Sequence, residues 1–246
     1  MVKTLLSIVI PCYNEAEGIE SLHSRLIPVL SLLKKDYDLE LIFIDDGSTD
    51  NTNKLLYHHF GNLSYVKIIK HEKNMNLGAA FKTGFSAANG EIIITLDSDC
   101  TYDPEEIPKL LMIMKDNNYD VVTGSPYHPL GKVENVPRYR IFLSKSVSLL
   151  YKIATGRNIN TFTSMFRAYK KEVVKNVNFK SNDFLSPAEI LIIAMNKGYK
   201  VGEMPSVLHV RKFGHSKFNK LFRIIRKHLN LVINSFLLRM RVKSAL

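Results

Sequence analysis

Residues 91–106, EIIITLDSDCTYDPEE, hold a strand, an acidic turn and a helix start in sixteen positions. Ile92, Ile93, Ile94 and Thr95 are β-branched and suit a buried pleated surface. The run closes on Asp97-Ser98-Asp99. Asp103-Pro104 then supplies a helix cap followed by proline at the first helical position, with Glu105 and Glu106 in the first turn. The pattern predicts a strand over 91–97 and a helix over 104–117.

The same grammar repeats on both sides. Leu5–Pro11 (LLSIVIP), Leu39–Asp45 (LELIFID), Ser64–Lys70 (SYVKIIK) and Tyr119–Gly124 (YDVVTG) are short Ile/Val-rich runs closed by Pro, Asp or Gly. Helical patterns fall between them at 16–34, 49–60 and 77–89. Strand–helix alternation of this kind predicts βαβ units, an α/β fold and a mostly parallel sheet. Ligands of such sheets bind off the carboxyl ends of the strands. Beyond a proline-rich loop at 125–137, a helix is expected over 138–155, extended chain over 163–169 and 199–210, and a helix near 184–197. From Phe218 the apolar residues 218, 221, 222, 225, 229, 232, 233, 236 and 240 recur on one helical stripe, with Lys220, Arg223, Arg226 and Lys227 mostly off it. No internal repeat or low-complexity segment is evident.

Composition narrows the classes. The chain has 246 residues, 46% apolar and 23% charged, long enough to bury a core without disulfide or metal. Two cysteines, Cys12 and Cys100, have no CxxC spacing, which argues against a disulfide scaffold or a Cys-based zinc site and for a reducing compartment. The start reads as a first strand, not a signal peptide. Of the formal net charge of +11, about +10 lies in residues 198–246, which carry eleven Lys/Arg against Glu203 alone. Such a tail attracts phosphate-bearing partners, nucleic acid or an anionic membrane face. Its longest stretch free of Lys/Arg is His228–Leu238, too short for a membrane span.

Acids terminate two of the strands. The second ends Asp45-Asp46-Gly47-Ser48 and the fourth Asp97-Ser98-Asp99, which a parallel sheet brings to one edge. Carboxylates at i and i+2 in a turn can face one point and suit Mg²⁺ or Mn²⁺, which bridge to phosphate oxygens. No G-x-G-x-x-G follows the first strand and no G-x-x-x-x-G-K-[ST] occurs, which argues against a Rossmann dehydrogenase and a P-loop NTPase. Tyr13 and Glu15, with Asp46, could form a pocket for base and ribose at adjacent strand ends. The loop Asn74–Gly78 and Lys82 could lie near a diphosphate. Arg138 and Arg140 follow the proline loop, and Arg211 and Lys217 flank Gly214-His215-Ser216; Arg and Lys are natural phosphate partners. His209 and His215 have no ligand cluster around them and read as structural.

Taken together, SIVIPCYNE (7–15), IDDGSTDNT (44–52), NLGAAFKTGF (76–85), LDSDCTYDPEEIPKL (96–110), GKVENVPRYRIFLSK (131–145), TSMFRAYKKEVV (163–174) and VRKFGHSK (210–217) resemble the family 2 glycosyltransferases, most of all the polyprenyl- or dolichyl-phosphate sugar synthases. The resemblance spans residues 5 to 217. It implies a GT-A fold, a Rossmann-like sheet flanked by helices, as a catalytic domain over 1–217 followed by a basic amphipathic helical tail over 218–246. It also implies a nucleotide-sugar donor such as GDP-mannose or UDP-glucose and a divalent metal, Mg²⁺ or Mn²⁺. By the resemblance Pro11, Tyr13, Glu15, Ile44 and Asp46 hold the nucleoside. Asp97 and Asp99, with Ser98 between them, hold diphosphate and metal, and Thr101, where the family pattern has Gln, offers the metal one more oxygen. Arg140, Arg211 and Lys217 grip the phosphates of donor or acceptor, and Asp97, Asp99 and Arg140 form the catalytic set. Pro126 also departs from the pattern, standing where Arg is usual.

A polyprenyl phosphate is already an anion and needs no general base to attack the anomeric carbon; the help it needs is positive charge. Processive synthases of the superfamily carry Q-x-x-R-W, and this chain has no tryptophan. Single-sugar transfer with inversion, by direct displacement, is therefore expected, with the tail lying on an anionic leaflet at the cytoplasmic face. One alternative keeps the fold and transfers sugar to a hydroxyl on glycan or protein, with Asp183 or Glu189 as base. The other, a nucleic-acid-binding module using the tail, leaves the strand-end acids unexplained, so no nucleic-acid partner is expected.

Overall fold

The computed structural model describes residues 3–210 and 221–244. Strands β1 (Thr4–Cys12), β2 (Tyr37–Asp45), β3 (Val66–Lys70), β4 (Ile92–Thr95) and β5 (Val121–Ser125) alternate with helices α1 (Ile19–Leu33), α2 (Thr52–Phe60), α3 (Leu77–Ala87) and α4 (Ile107–Asp116). Short 3₁₀ turns, Ala16–Gly18 and Pro104–Glu106, lead into α1 and α4. The cap at the second is formed: Asp103 Oδ1 accepts from the Glu105 N–H at 3.0 Å.

The second half adds β6 (Lys132–Glu134), α5 (Arg138–Thr155), β7 (Arg167–Lys170), α6 (Lys171–Asn176), α7 (Ser186–Asn196), β8 (Val201–Pro205), β9 (Val207–His209) and α8 (Leu221–Ser244). Seven strands form one sheet in the order β3-β2-β1-β4-β7-β5-β8, and β6 and β9 pair in a small parallel sheet. Only β7 runs antiparallel, to β4 on one side and β5 on the other. The mostly parallel sheet read from the sequence is correct. The antiparallel β7, the β6–β9 pair and α6 were not foreseen.

Both faces of the sheet are covered. Ile8, Ile10, Leu41 and Phe43 pack under α1, α2 and α4, whereas Val9, Ile42, Ile44 and Ile93 pack under α3 with Ala80. The period-2 alternation along β1 and β2 thus feeds two cores, as in a strand buried on both sides. A third cluster gathers Tyr151 of α5, Phe162, Tyr169 and the apolar face of α7. Helix α8 lies against α5. His228 Nδ1 meets the Tyr151 hydroxyl at 2.7 Å, Lys227 pairs with Asp183, and Arg239 donates to the Ile153 carbonyl at 2.8 Å. Cys12 and Cys100 are both buried and are not joined in a disulfide.

Candidate active site

Register places the acids. In β1, Cys12 is level with Asp45 of β2 and Val9 is level with Thr95 of β4, so all three strands release their chains at one edge. Lys70 of β3 is level with Asp45, which brings the loop after β3 to the same edge.

The first two loops are laced together. The Asp46 N–H donates to Cys12 O at 2.8 Å, Asn14 N–H to Ser48 Oγ at 2.9 Å and Glu15 N–H to Thr52 Oγ1 at 2.7 Å. In return Asn14 Oδ1 accepts from the Thr49 N–H at 2.8 Å. Asn14 has φ 50°, a left-handed conformation that asparagine tolerates. Gly47, at φ +71°, lets the turn close on the loop after β3: a Cβ there would stand 2.3 Å from the Lys73 carbonyl carbon. Gly78 does the same for a further loop. Its N–H donates to Asn182 O at 2.7 Å, and a Cβ would fall 2.1 Å from Ser181 O.

The two acids after β2 separate in role. Asp45 is fully buried and holds the turn, its Oδ1 accepting from the Ser48 N–H at 2.9 Å. Asp46 Oδ1 accepts from His71 Nδ1 at 2.7 Å and from the Met75 N–H at 2.9 Å, and its Oδ2 accepts from Asn74 Nδ2 at 2.9 Å. His71 Nε2 pairs with Thr83 Oγ1 at 2.9 Å. Of the expected nucleoside residues, Pro11 and Ile44 are partners across β1 and β2, Tyr13 is half-buried and Glu15 is buried beside them. The Ile44 side chain is fully buried in the α3-side core, so its backbone is what reaches the edge.

After β4, Asp97 and Asp99 are half-buried and Ser98 is buried. Asp99 Oδ1 accepts from the Thr101 N–H at 3.0 Å and the Thr101 hydroxyl at 2.6 Å, which fixes the carboxylate in a tight turn. Among the described residues no three His, Cys, Asp or Glu side chains converge as a closed metal site. An open set of two carboxylates and a hydroxyl, all hard oxygens, fits Mg²⁺ or Mn²⁺, which take one or two carboxylates and complete their shell with water and substrate phosphate.

Behind this turn lies a buried cation. Arg167, fully buried, donates to Thr123 Oγ1 at 3.1 Å, to Phe162 O at 2.6 Å and to Pro187 O, all neutral acceptors. Both Arg167 and Asp97 lie within electrostatic reach of Tyr102, whose phenol burial pushes well up. Sequence reasoning passed over Arg167 and His71. His71 follows β3 directly, so the same-edge rule could have found it; Arg167 carries no spacing signal.

The loop before α3 reaches Asp46 through Asn74 and Met75. Lys82 donates to Asn182 Oδ1 at 2.7 Å, anchoring the 180–182 loop. Both carboxylates weighed as bases are occupied. Asp183 caps α7 through the Leu185 N–H at 3.1 Å and pairs with Lys227, which helps hold its carboxyl below the usual range although burial pushes the other way. Glu189 accepts from the Lys180 N–H at 3.0 Å and the Ser181 N–H at 2.8 Å. Arg140 stands exposed in the first turn of α5, donating to the Tyr139 hydroxyl at 3.2 Å. Lys132–Glu134 of the GKVEN motif pair with Val207–His209 in the β6–β9 sheet, where Glu134 is level with His209. His209 is structural, its N–H donating to Thr101 O at 2.9 Å and its ring 3.2 Å from the Glu134 carboxylate. Arg211 and Lys217 lie outside the described residues, as do His215 and the first positions of the tail.

Parallel strands that release acids and a hydrogen-bonded cradle at one edge, without a glycine-rich phosphate loop, define a GT-A-like α/β site. Residues 7–177 match the family model "Glycosyl transferase family 2", and the chain belongs to that family. It is 37% identical over 214 residues to a dolichol-phosphate mannosyltransferase of Pyrococcus furiosus, covering 86% of this chain and 58% of that one. It is 31% identical over 229 residues to an undecaprenyl-phosphate 4-deoxy-4-formamido-L-arabinose transferase of Yersinia pestis, covering 92% of this chain and 66% of that one. The chain therefore spans about three fifths to two thirds of the length of these relatives. The fold is similar to the crystal structure of glucosyl-3-phosphoglycerate synthase from Mycobacterium tuberculosis in complex with Mn²⁺, UDP and glucosyl-3-phosphoglycerate. The TM-score is 0.72 at 20% identity, covering 94% of this chain and 80% of that one.

Proposed function

We propose that this protein transfers a single sugar from a nucleotide sugar to a polyprenyl phosphate, with inversion at the anomeric carbon. The observation that carries the reading is the shared edge: Asp97 and Asp99 after β4 stand beside the interlocked loops after β1 and β2. Both relatives named above are polyprenyl-phosphate sugar transferases. In this reading Pro11, Tyr13, Glu15, Ile44 and Asp46 cradle the nucleoside. Asp97, Ser98 and Asp99 orient the diphosphate, with Thr101 bracing Asp99. Asp97 and Asp99 would hold a divalent cation, which would supply charge neutralisation for the leaving nucleoside diphosphate; the similar fold is in complex with Mn²⁺ and UDP. Arg140, Arg211 and Lys217 hold the acceptor phosphate against the sugar. The His209 N–H is bonded to Thr101, which brings the end of β9 to the acid turn.

The hydroxyl-acceptor alternative lacks support from its candidate bases. Asp183 and Glu189 are both engaged in holding backbone, and a depressed carboxyl is a weaker base. A phosphate nucleophile needs neither.

Membrane contact belongs to the same proposal. Residues 138–157 and 221–244 contain eleven Lys/Arg and no Asp or Glu. On α5, Tyr139, Phe142, Leu149 and Ile153 stand exposed, and on α8 so do Leu229, Ile233, Phe236, Leu237 and Met240. No helix among the described residues is long and apolar enough to cross a membrane. Apolar side chains set among cations suit the headgroup plane of an anionic leaflet, each nearby cation contributing ~1 kcal/mol. We place the enzyme peripherally on the cytoplasmic face, with the catalytic domain over 1–217 and the basic helix over 218–246. The test is transfer of labelled sugar to polyprenyl phosphate in vesicles, compared with free glycan and peptide acceptors. Product on lipid phosphate alone supports the reading, and product on hydroxyl acceptors alone overturns it.

A further inference from the structure

Asp46 has a limited number of acceptor positions, and most are filled from within the protein. A carboxylate offers about four lone-pair sites, two on each oxygen. His71 Nδ1–H and the Met75 N–H occupy Oδ1, at 2.7 and 2.9 Å. Asn74 Nδ2 occupies one site of Oδ2 at 2.9 Å, which leaves a single position open. These donors are fixed. The His71 side chain is only 9% exposed and is held from behind by Thr83 Oγ1 at 2.9 Å, while Asn74 also reaches the Asp46 carbonyl at 3.3 Å. The Asp46 side chain keeps 5% exposure, a narrow opening that suits one donor better than two side by side.

We infer that Asp46, filled in this way by His71, Asn74 and Met75, selects a donor whose base presents one imide N–H, as uracil and thymine do, over guanine. Guanine offers N1–H and N2–H as a pair and needs both carboxylate oxygens, one of which is full. Cytosine turns a ring-nitrogen lone pair toward the carboxylate and is repelled. The inference rests on Asp46 facing the base, as proposed above, and deepens that reading to a pyrimidine-dione nucleoside diphosphate sugar. His71 is then a positioning residue that acts through Asp46. A purine N–H left against a filled oxygen weakens binding by roughly ten- to a hundredfold.

Isothermal titration of the full chain with UDP, CDP and GDP in Mn²⁺ tests this on the wild type, His71→Ala and Asn74→Ala. The wild type is expected to bind UDP at least about tenfold tighter than GDP or CDP. His71→Ala opens a site on the filled Oδ1 and should bring the GDP/UDP ratio of Kd toward one, whereas Asn74→Ala frees only Oδ2, which already has an open position, and should leave the ratio unchanged, as would a merely structural loss that weakens both nucleotides. Because the wild-type ratio needs no variant, misfolding of either substitution does not shield the idea. GDP or CDP binding as tightly as UDP in the wild type, or a ratio unmoved in folded His71→Ala, overturns it. Binding of none of the three removes the nucleotide-sugar reading and this inference with it.

Discussion

Around the ends of β1, β2 and β3, backbone N–H groups of one loop donate to side-chain oxygens of the next, and acids are matched by nearby donors. Along α5 and α8 the reverse holds: large apolar side chains stand in solvent among cations with no carboxylate on either helix. The first region is built to hold one geometry, which is what positioning a small anionic ligand requires. In the proposed reading the second would meet a fluid lipid surface by area and charge. If the proposal holds, one chain separates chemistry from localisation, and each half should break without the other.

Asp99→Asn gives the largest effect. Sugar transfer should fall by about 100-fold or more, the scale of losing a group that stabilises developing charge, while vesicle binding stays unchanged. A flotation assay run beside the transfer assay reads both. Next, Phe142→Glu combined with Ile233→Glu should lower partition onto anionic vesicles by about tenfold or more and leave nucleotide affinity alone. Nucleotide affinity falling in step would mean the two regions are not separable.

Two substitutions sharpen the comparison through stability. Gly78→Ala drives a Cβ into Ser181 O and should cost about 1–3 kcal/mol in urea unfolding, because the loops of the acid edge cannot give way. On the other side, burial lowers the His228 imidazole to about 4, with Tyr151 and Asp183 facing it. Its folded pKa lies below the unfolded value of 6.5, so the unfolded chain takes up the proton first as pH falls. Stability should therefore decline between pH 6.5 and about 4, by on the order of 2–3 kcal/mol, and His228→Gln should flatten that slope. An unchanged slope in the variant would show that α8 is not held by this contact.

Much of this arrangement was legible in the sequence, for identifiable reasons. Strands such as Leu39–Asp45 are short, β-branched runs with acidic ends, and register in a parallel sheet then fixes which ends meet. Asp103-Pro104 marked its helix start because capping is a local property. Features set by distant partners were not legible. That β7 inserts antiparallel between β4 and β5 depends on which neighbours are free, and β6 and β9 are three-residue strands with no period to detect. From Leu221 the stripe lies on helix α8, and positions 218–220 fall outside the described residues. Helix α8 docks through His228 and Ser235 and leaves Ile233, Phe236 and Met240 exposed, a division that a helical period alone does not fix. The resemblance singled out Asp46 and not Asp45, and the donors around each give the physical difference: Asp45 holds its own turn, whereas Asp46 is tied to the loop after β3.

The most direct measurement is titration of a nucleoside diphosphate into the wild type and Asp97→Asn, in Mn²⁺ and again in EDTA. Binding that requires both the cation and the native Asp97 is the predicted result. Equal affinity in all four conditions would contradict a diphosphate site at the end of β4.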